Sequence, residues 1–325
     1  MTAGPVDLLP QLTRTPGAPP TPVTVEAGDE AGGPAGHSRR RRVVQLVLFI
    51  AAILVAWEGA KFLGGVPWRP IGAGPGAPVV WDPPFRWAFA NDLNLPHWWN
   101  IVWVLGQPVQ RGTEETLLQF LGGAAFYTWR EAFIGFVVGA ILGLILATVF
   151  VHSRLAERAF VPYVVASQTI PIVALAPMIV FAFGQNVTSV VIIATYLTFF
   201  PVTIAMIRGL RSPDPRALEL MRSYAASSWQ IYRKVRLPAS LPYLFTALKI
   251  AATASIVGAI IGEGPGGIPD GLGRAILNFN QYYITGPEKL WGAILVSALL
   301  GIVFFTLISL LEALVLRGRS APDAA

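Results

Sequence analysis

Long apolar runs alternate with short polar stretches from about residue 43 to residue 316 of the chain. Several of these runs approach 20 residues, which is the length that a helix needs to cross roughly 30 Å of hydrocarbon. The pattern predicts an all-α, polytopic membrane protein. Its six transmembrane helices are expected at about 43–62, 131–151, 160–183, 187–207, 239–261 and 290–316.

The composition agrees with this pattern, because 54% of the residues are hydrophobic, only 13% are charged, and the mean hydropathy is +0.58. A soluble domain carries about 25% charged residues. The chain has no cysteine, which excludes a thiolate metal site, and its histidines are too far apart for a local metal motif. It also lacks the Gly-Lys pair of a phosphate-binding loop. We therefore expect no cofactor, no bound metal and no catalytic residue.

Basic residues are distributed unevenly between the loops. Most of the 24 Lys and Arg residues fall in four stretches, 1–42, 152–159, 208–236 and 317–325. Lys and Arg mark the cytoplasmic side of membrane proteins. This predicts that both termini lie in the cytoplasm, and it assigns the net charge of +6 to the membrane surface rather than to nucleic-acid binding.

The same features divide the chain into segments. We predict a disordered cytoplasmic tail at 1–38, a first transmembrane helix at 39–62, a Trp-rich outer-face segment at 63–127, a five-helix core at 128–317 with a cytoplasmic loop at 212–238, and a second tail at 318–325. The outer-face segment holds six of the ten tryptophans, which favour the membrane–water interface. A helix is expected to begin near Thr113, a suitable N-cap residue.

The cytoplasmic loop carries signals for two short helices. Asp214 can cap a first helix that begins at Pro215, where the missing N–H has no cost. Ser227 and Gln230 have the spacing of a capping box and predict a second start. Pro238 is expected to end that second helix. Apolar residues expected on the exposed face of the loop are Leu218, Met221 and Ile231.

The stretch from Glu219 to Ser227, followed by Trp229, Arg233 and Leu237-Pro238, resembles the EAA loop of ABC importer permeases. The resemblance covers roughly residues 43–317 and includes Gly135, Gly139 and Gly143 on one face of span two, and Glu263 ahead of Gly271-Leu272-Gly273. It implies the architecture of a type I ABC importer permease in the cytoplasmic membrane. It also implies a second permease copy, identical or closely related, a separate ABC ATPase subunit, an extracellular solute-binding protein and surrounding membrane lipid.

In that family the loop docks as a coupling helix into a cleft of the ATP-hydrolysing subunit. The residues that the resemblance assigns to this contact are Glu219, Arg222, Ala225, Ser227, Trp229, Arg233 and Pro238. Ala225 stands where the family usually has Gly, and a left-handed Ala costs about 1–2 kcal/mol. We therefore expect either ordinary dihedral angles at the bend or a turn shifted toward Ala226 and Ser227. The alternative for the whole loop is a basic amphipathic helix lying on anionic lipid.

Span three contains polar residues next to prolines. Pro171 and Pro177 each remove an N–H donor, and irregular backbone at membrane depth is tolerated where it is buried or lines a wet cavity. The candidate translocation-path residues are Ser167, Gln168, Thr169 and Pro171. The alternative is ordinary helix packing with hydroxyls bonded back to the backbone.

Two glutamates lie near the outer ends of predicted spans. Ionisable groups inside spans are functional candidates. Glu58 and Glu263 are close to solvent, however, and we expect them to form structural pairs, for example with Lys61 and Arg274.

The motif Gln168-Thr169-Ile170-Pro171 is similar to the nitrate/sulfonate/taurine-type branch of these permeases, and within it to subunits for thiamine-precursor pyrimidines or riboflavin. The resemblance implies import of a heterocyclic vitamin or precursor, or of a sulfonate or nitrate-type anion. An ion-gradient-driven secondary transporter is the alternative, and it would require inverted repeats and ionisable residues near the bilayer midplane. A membrane-embedded enzyme is the third possibility, without support from Cys, His or paired midplane carboxylates.

Overall fold

The computed structural model describes residues 35–73, 76–110, 112–264, 268 and 270–317. The predicted tails at 1–34 and 318–325 lie outside these residues. Met1–Ile53 and Leu54–Ala325 are two compact units, and the described part of the first is helical throughout. The first helix begins at Ala35, four residues inside the predicted tail.

The described residues are helical and contain no regular strand, which confirms the predicted all-α class. A short 3₁₀ turn lies at Ala88–Ala90 and a π-helical turn at Tyr232–Arg236. The α-helices, in chain order, are α1 Ala35–Leu63, α2 Trp98–Leu105, α3 Leu117–His152, α4 Arg154–Ser167, α5 Ile172–Phe183, α6 Val187–Arg211, α7 Pro215–Ser223, α8 Ser228–Ile231, α9 Leu237–Glu263, α10 Leu272–Gln281 and α11 Pro287–Val315.

Five helical stretches are long and apolar enough to cross a membrane, and α4 with α5 would make a sixth if the bent pair is one span. The predicted helix 131–151 is in fact 36 residues long and begins at Leu117. Thr113 is not its cap. Thr116 caps it, because the Thr116 hydroxyl accepts from the Gln119 N–H at 3.3 Å while the Gln119 side chain accepts from the Thr116 N–H at 3.0 Å.

The centre of the core is a close packing of α3, α6 and α9. The glycines predicted to share a face of α3 all lie against α6: an added Cβ at Gly135 would sit 2.4 Å from the Ala194 Cβ, and one at Gly139 would sit 2.6 Å from the Thr198 Cβ. On α9, a Cβ added at Gly258 would lie 2.9 Å from the Ala194 Cα of α6. Helices in lipid associate through this kind of close backbone packing, because lipid provides no hydrophobic drive between them.

The residues between α1 and α3, here called the outer segment (residues 64–116), are tied to the end of α1 by buried polar contacts. Lys61 is fully buried, and its ammonium lies 2.5 Å from Asp92 Oδ1 and 2.7 Å from the Leu95 carbonyl oxygen. Glu58 Oε2 lies 2.7 Å from His97 Nδ1. The expected Glu58–Lys61 pair is therefore wrong, because a buried ammonium needs several acceptors, and the outer segment supplies them.

Glu263 is buried at the end of α9 and has a backbone partner. Its Oε2 accepts from the Gly273 N–H at 2.7 Å, so the expected pair with Arg274 is wrong. An added Cβ at Gly271 would lie 2.4 Å from the Glu263 Cδ, and Gly271 has a φ of +101°. The Gly271-Leu272-Gly273 motif thus leaves room for a carboxylate that lies against the backbone.

Gly139→Leu should separate α3 from α6, because its side chain would overlap the Thr198 Cβ. Overpacking of this kind costs about 1–3 kcal/mol. We expect a lower melting temperature for the detergent-purified variant, followed by tryptophan fluorescence. Gly122→Leu on the same helix is the matched control, since nothing lies within 4 Å of its added Cβ. Equal melting temperatures for the two variants would contradict the packing described here.

Candidate functional site

The loop between α6 and α9 forms the two predicted helices, α7 and α8, here called the loop helices. Asp214 Oδ1 accepts from the Arg216 N–H at 2.8 Å, and Pro215 opens α7. Ser227 Oγ accepts from the Gln230 N–H at 3.3 Å, and the Gln230 side chain accepts from the Ser227 N–H at 2.8 Å. Both predicted start signals are confirmed, so the local sequence is sufficient to place them.

Ala225 makes the bend between the loop helices with a left-handed backbone, at a φ of +54°. The Ala226 N–H donates to the Met221 carbonyl at 3.0 Å, and the Ala225 N–H donates to the Arg222 carbonyl at 2.9 Å. These two bonds are the Schellman arrangement, in which a residue just past the helix end adopts this conformation. Both expectations for this position are wrong, because the two bonds fix the turn at Ala225 and outweigh the cost of its Cβ.

The second loop helix does not end at Pro238. The chain stays helical from Ser228 to Glu263, which is 36 residues, through a π-helical turn at Tyr232–Arg236. The Leu237 N–H donates to the Tyr232 carbonyl, a bond one residue longer than in an α-helix. This wider turn accommodates the proline ring and its missing N–H. As a result, α8 is a direct extension of the membrane-spanning helix α9.

The loop helices carry an exposed apolar surface. Leu220, Tyr224 and Trp229 are exposed by 57%, 78% and 66%, respectively. Leu218, Met221 and Ile231, which the sequence indicated for this role, are each half-buried. The i, i+4 spacing of Leu220 and Tyr224 is the signal that could have identified two of the exposed residues.

Charged side chains of both signs surround this apolar surface. Glu219 and Arg222 on α7 are exposed, and so is Arg233 on the following turn. Each of these three residues was predicted from the sequence to lie in the loop contact. An exposed apolar centre with a charged rim is the composition of a protein–protein contact.

Tyr232 connects the loop helices to the core, a role that no sequence signal predicted. Its ring stacks on Trp229, with 5.6 Å between centroids, and is itself buried. Its hydroxyl lies 3.0 Å from Thr148 Oγ1 on α3, and its ring meets His152 edge to face at 5.5 Å. Trp229 is thus linked to the end of α3 through one intervening residue, Tyr232.

Span three, predicted at 160–183 with prolines that disturb its helix, is indeed broken into two helices. Helices α4 and α5 meet at an angle of 99°. The break ends at Pro171, whereas Pro162 and Pro177 lie inside helices that continue past them. The carbonyls ahead of Pro171 accept hydrogen bonds from hydroxyl groups at the point where the helix turns aside.

The predicted path residues Ser167, Gln168, Thr169 and Pro171 are together at this break. The Ser167 hydroxyl donates to the Val164 carbonyl at 2.8 Å, and the Thr169 hydroxyl donates to the Ala166 carbonyl at 2.7 Å. The Tyr196 hydroxyl donates to the Ser167 carbonyl. The Gln168 amide is half-buried, and its one side-chain contact among the described residues is Ser167 Oγ at 3.5 Å. Gln168 is therefore the residue with hydrogen-bonding capacity to spare.

Residues 139–317 match the family described as the binding-protein-dependent transport system inner membrane component. This stretch is more than half of the chain, and it includes the broken span and the loop helices. The chain belongs to this family. The permease is thus a transport component of an ABC importer and a multi-pass protein of the cytoplasmic membrane, in agreement with the sequence analysis.

Two curated relatives illustrate the similarity. The formylaminopyrimidine transport permease protein ThiX of Halalkalibacterium halodurans is 36% identical over 189 residues, which are 57% of this permease and 73% of the relative. The riboflavin transport system permease protein RibX of Chloroflexus aurantiacus is 35% identical over 170 residues, which are 52% of this permease and 62% of the relative. The relatives are named for different solutes, so family membership alone does not assign the solute.

Ala225→Gly should stabilise the loop, because glycine adopts a φ of +54° without a Cβ penalty. Removal of that penalty is worth about 1 kcal/mol. We expect slower amide hydrogen exchange over residues 215–236 of the purified permease. Ala226→Gly is the neighbouring control and should not slow exchange, since the left-handed residue is Ala225. Exchange in Ala225→Gly that matches or exceeds that of the unmodified chain would refute this account of the bend.

Proposed function

We propose that this permease moves a small heterocyclic solute, such as riboflavin or a thiamine-precursor pyrimidine, into the cytoplasm, driven by ATP hydrolysis in a separate ABC ATPase subunit. The names of the two relatives above support this solute class, while less similar relatives are named for aliphatic sulfonates and for nitrate. An extracellular solute-binding protein would deliver the solute, and both termini of the permease would face the cytoplasm. Family membership speaks against the ion-gradient-driven alternative.

The observation that carries the proposal is the shape of the loop helices. A helix pair that exposes Leu220, Tyr224 and Trp229 is suited to insertion into a cleft of another protein. The pair is capped at both starts and rigidly bent, so it would dock with little loss of conformational entropy. A helix lying on lipid would need neither the bend nor the second cap.

Two routes would carry movement of the ATPase into the membrane. One is the continuous helix from α8 through the π-helical turn to α9. The other is the stack of Trp229 on Tyr232, which reaches Thr148 and His152 on α3. Because α3 and α9 both pack on α6, a shift of the loop helices would reach the centre of the core.

A second permease copy would cover the exposed sides of α4 and α5. Their apolar side chains remain uncovered in one chain; Phe181 is exposed by 92% and Tyr163 by 74%. Two broken spans facing each other would place Gln168 of each copy beside the translocation path. Its spare amide would hydrogen-bond the passing solute, while Ser167 and Thr169 would satisfy the broken helix.

Glu219→Lys should release the ATPase. The substitution reverses the charge at a contact on the loop helices, and like-charge juxtaposition at an interface can cost several kcal/mol. A loss of about 1.4 kcal/mol is already tenfold in affinity. The measurement is co-purification of the ATPase with the variant, together with transport in proteoliposomes.

The control for this variant is Glu114→Lys, which makes the same charge change at an exposed residue of the outer segment and should leave the ATPase bound. Normal assembly and normal transport by Glu219→Lys would remove Glu219 from the proposed contact.

Gln168→Leu should reduce uptake by about fivefold while the assembled complex still hydrolyses ATP, because a lost hydrogen bond to the solute is worth about 1 kcal/mol. Radiolabelled solute uptake and ATPase activity would be measured on the same proteoliposomes. Gln110→Leu is the control, since it makes the same change at an exposed amide of the outer segment, away from the broken span. Unchanged uptake by Gln168→Leu at normal protein levels would assign Gln168 to helix packing.

A further inference from the structure

The outer segment contains a cavity of about 380 Å³ that has no role in the coupling or the path described above. Most of its lining comes from residues 66–73 and from α2, ahead of the residues that match the family. The volume lies in the range of small-molecule sites. Two tryptophans line it, Trp68 and Trp103, together with the polar side chains of Arg69, His97, Asn100 and Glu288.

The tryptophan walls of this cavity are held in place before any ligand arrives. Trp68 meets His97 edge to face at 4.7 Å, and its indole N–H donates to the Lys61 carbonyl at 3.3 Å. Trp103 packs over Gly72, where an added Cβ would lie 2.5 Å from the indole ring. Gly72 also has a φ of +72°. Both this backbone conformation and the close approach of Trp103 therefore require glycine at this turn. Rigid aromatic walls favour a flat ligand.

The polar lining offers hydrogen-bond acceptors in excess. Asn100 Oδ1 is buried and receives no hydrogen bond from the described residues, and a buried acceptor without a donor is unfavourable. Burial of the ring and the nearby Lys61 ammonium lower the pKa of His97 below its usual range, even with Glu58 adjacent. A neutral imidazole beside the Glu58 carboxylate carries its proton on Nδ1, which leaves Nε2 as an acceptor.

The charges around the cavity point to the same kind of ligand. Asp92 already pairs with Lys61, while Glu288 and Arg69 have no ion-pair partner among the described residues. A sulfonate or nitrate-type anion would pair with Arg69 but would bring further acceptors to Asn100, His97 and Glu288. A ligand that carries both N–H donors and a ring nitrogen would instead donate to these acceptors and accept from Arg69.

We propose that this cavity is a solute site of the permease itself, which binds a small planar heterocycle through N–H donors on its edge, as in an aminopyrimidine. The ring would lie against Trp68 and Trp103, and its amino group would donate to Asn100 Oδ1. This inference rests on the heterocyclic solute class proposed above, and adds a place where the permease holds the solute outside the helix core.

The test is a titration of the purified full-length permease, without binding protein, followed by tryptophan fluorescence and by calorimetry. The probe is 4-amino-2-methylpyrimidine. The matched compound is 2,4-dimethylpyrimidine, in which a methyl group replaces the amino group, and taurine serves as an anion. We expect saturable binding of the aminopyrimidine, at least tenfold weaker binding of the dimethyl compound, and none of taurine. Absence of saturable binding, or equal binding of both pyrimidines, would overturn the proposal.

The Asn100→Leu variant tests whether Asn100 contributes to ligand binding or to the stability of the fold. Removal of a buried acceptor without a donor should not lower the melting temperature, whereas aminopyrimidine affinity should fall at least tenfold. Gln110→Leu is the control, because Gln110 is an exposed amide of the outer segment that does not line the cavity. Unchanged affinity in Asn100→Leu would refute the assigned contact, and a lower melting temperature with unchanged affinity would assign Asn100 to folding alone.

Uptake by the complete transporter with its binding protein distinguishes this inference from the proposed function. Uptake of aminopyrimidine without binding by the isolated permease would reject the cavity and keep the function. Uptake of a sulfonate and not of aminopyrimidine would reject the proposed solute, and with it the cavity as a site for that solute.

Discussion

The close contact of α3 and α9 with α6 is the constraint on which the rest of the permease depends. In lipid, helices gain little from burying apolar side chains against each other, so the backbones must approach closely enough for dense van der Waals contact. Gly135, Gly139 and Gly258 allow this approach, because a side chain at any of them would overlap α6. Under the coupling proposed above, a core packed this densely would pass a shift of the loop helices on to all three helices.

Two prolines illustrate how the surroundings of a proline decide what it does. At Pro238 a π-helical turn absorbs the missing N–H, and one helix continues from the loop into the membrane. At Pro171 the Ser167, Thr169 and Tyr196 hydroxyls occupy the carbonyls ahead of the proline, and the helix turns by 99°. Under the proposed coupling, the first arrangement would transmit movement along one continuous helix. The second exposes irregular backbone at membrane depth, where a translocation path can use it.

Buried charged groups hold the outer segment on the end of α1. Lys61 and Glu58 lie at the end of α1 without partners on their own helix, and Asp92, the Leu95 carbonyl and His97 supply them from the segment above. Buried ionic groups left without partners are strongly unfavourable, so these contacts fix the segment on the helix end. Burial of the ring and the Lys61 ammonium lower the pKa of His97 against the opposing effect of Glu58, so the neutral imidazole is favoured beside the cavity.

The sequence alone determined the helical class, most of the long apolar helices, and the starts of both loop helices at Asp214 and Ser227. These features depend on hydropathy and on hydrogen bonds that span three or four residues, which a linear pattern records directly. Only the tertiary structure decided the left-handed Ala225, the continuation of the helix through Pro238, the partners of Glu58 and Glu263, and which of Pro171 and Pro177 bends span three. The contact of Tyr232 with α3 also became evident only in three dimensions. Each of these depends on geometry or on contacts between segments distant in the chain, and no local pattern encodes which segments will meet.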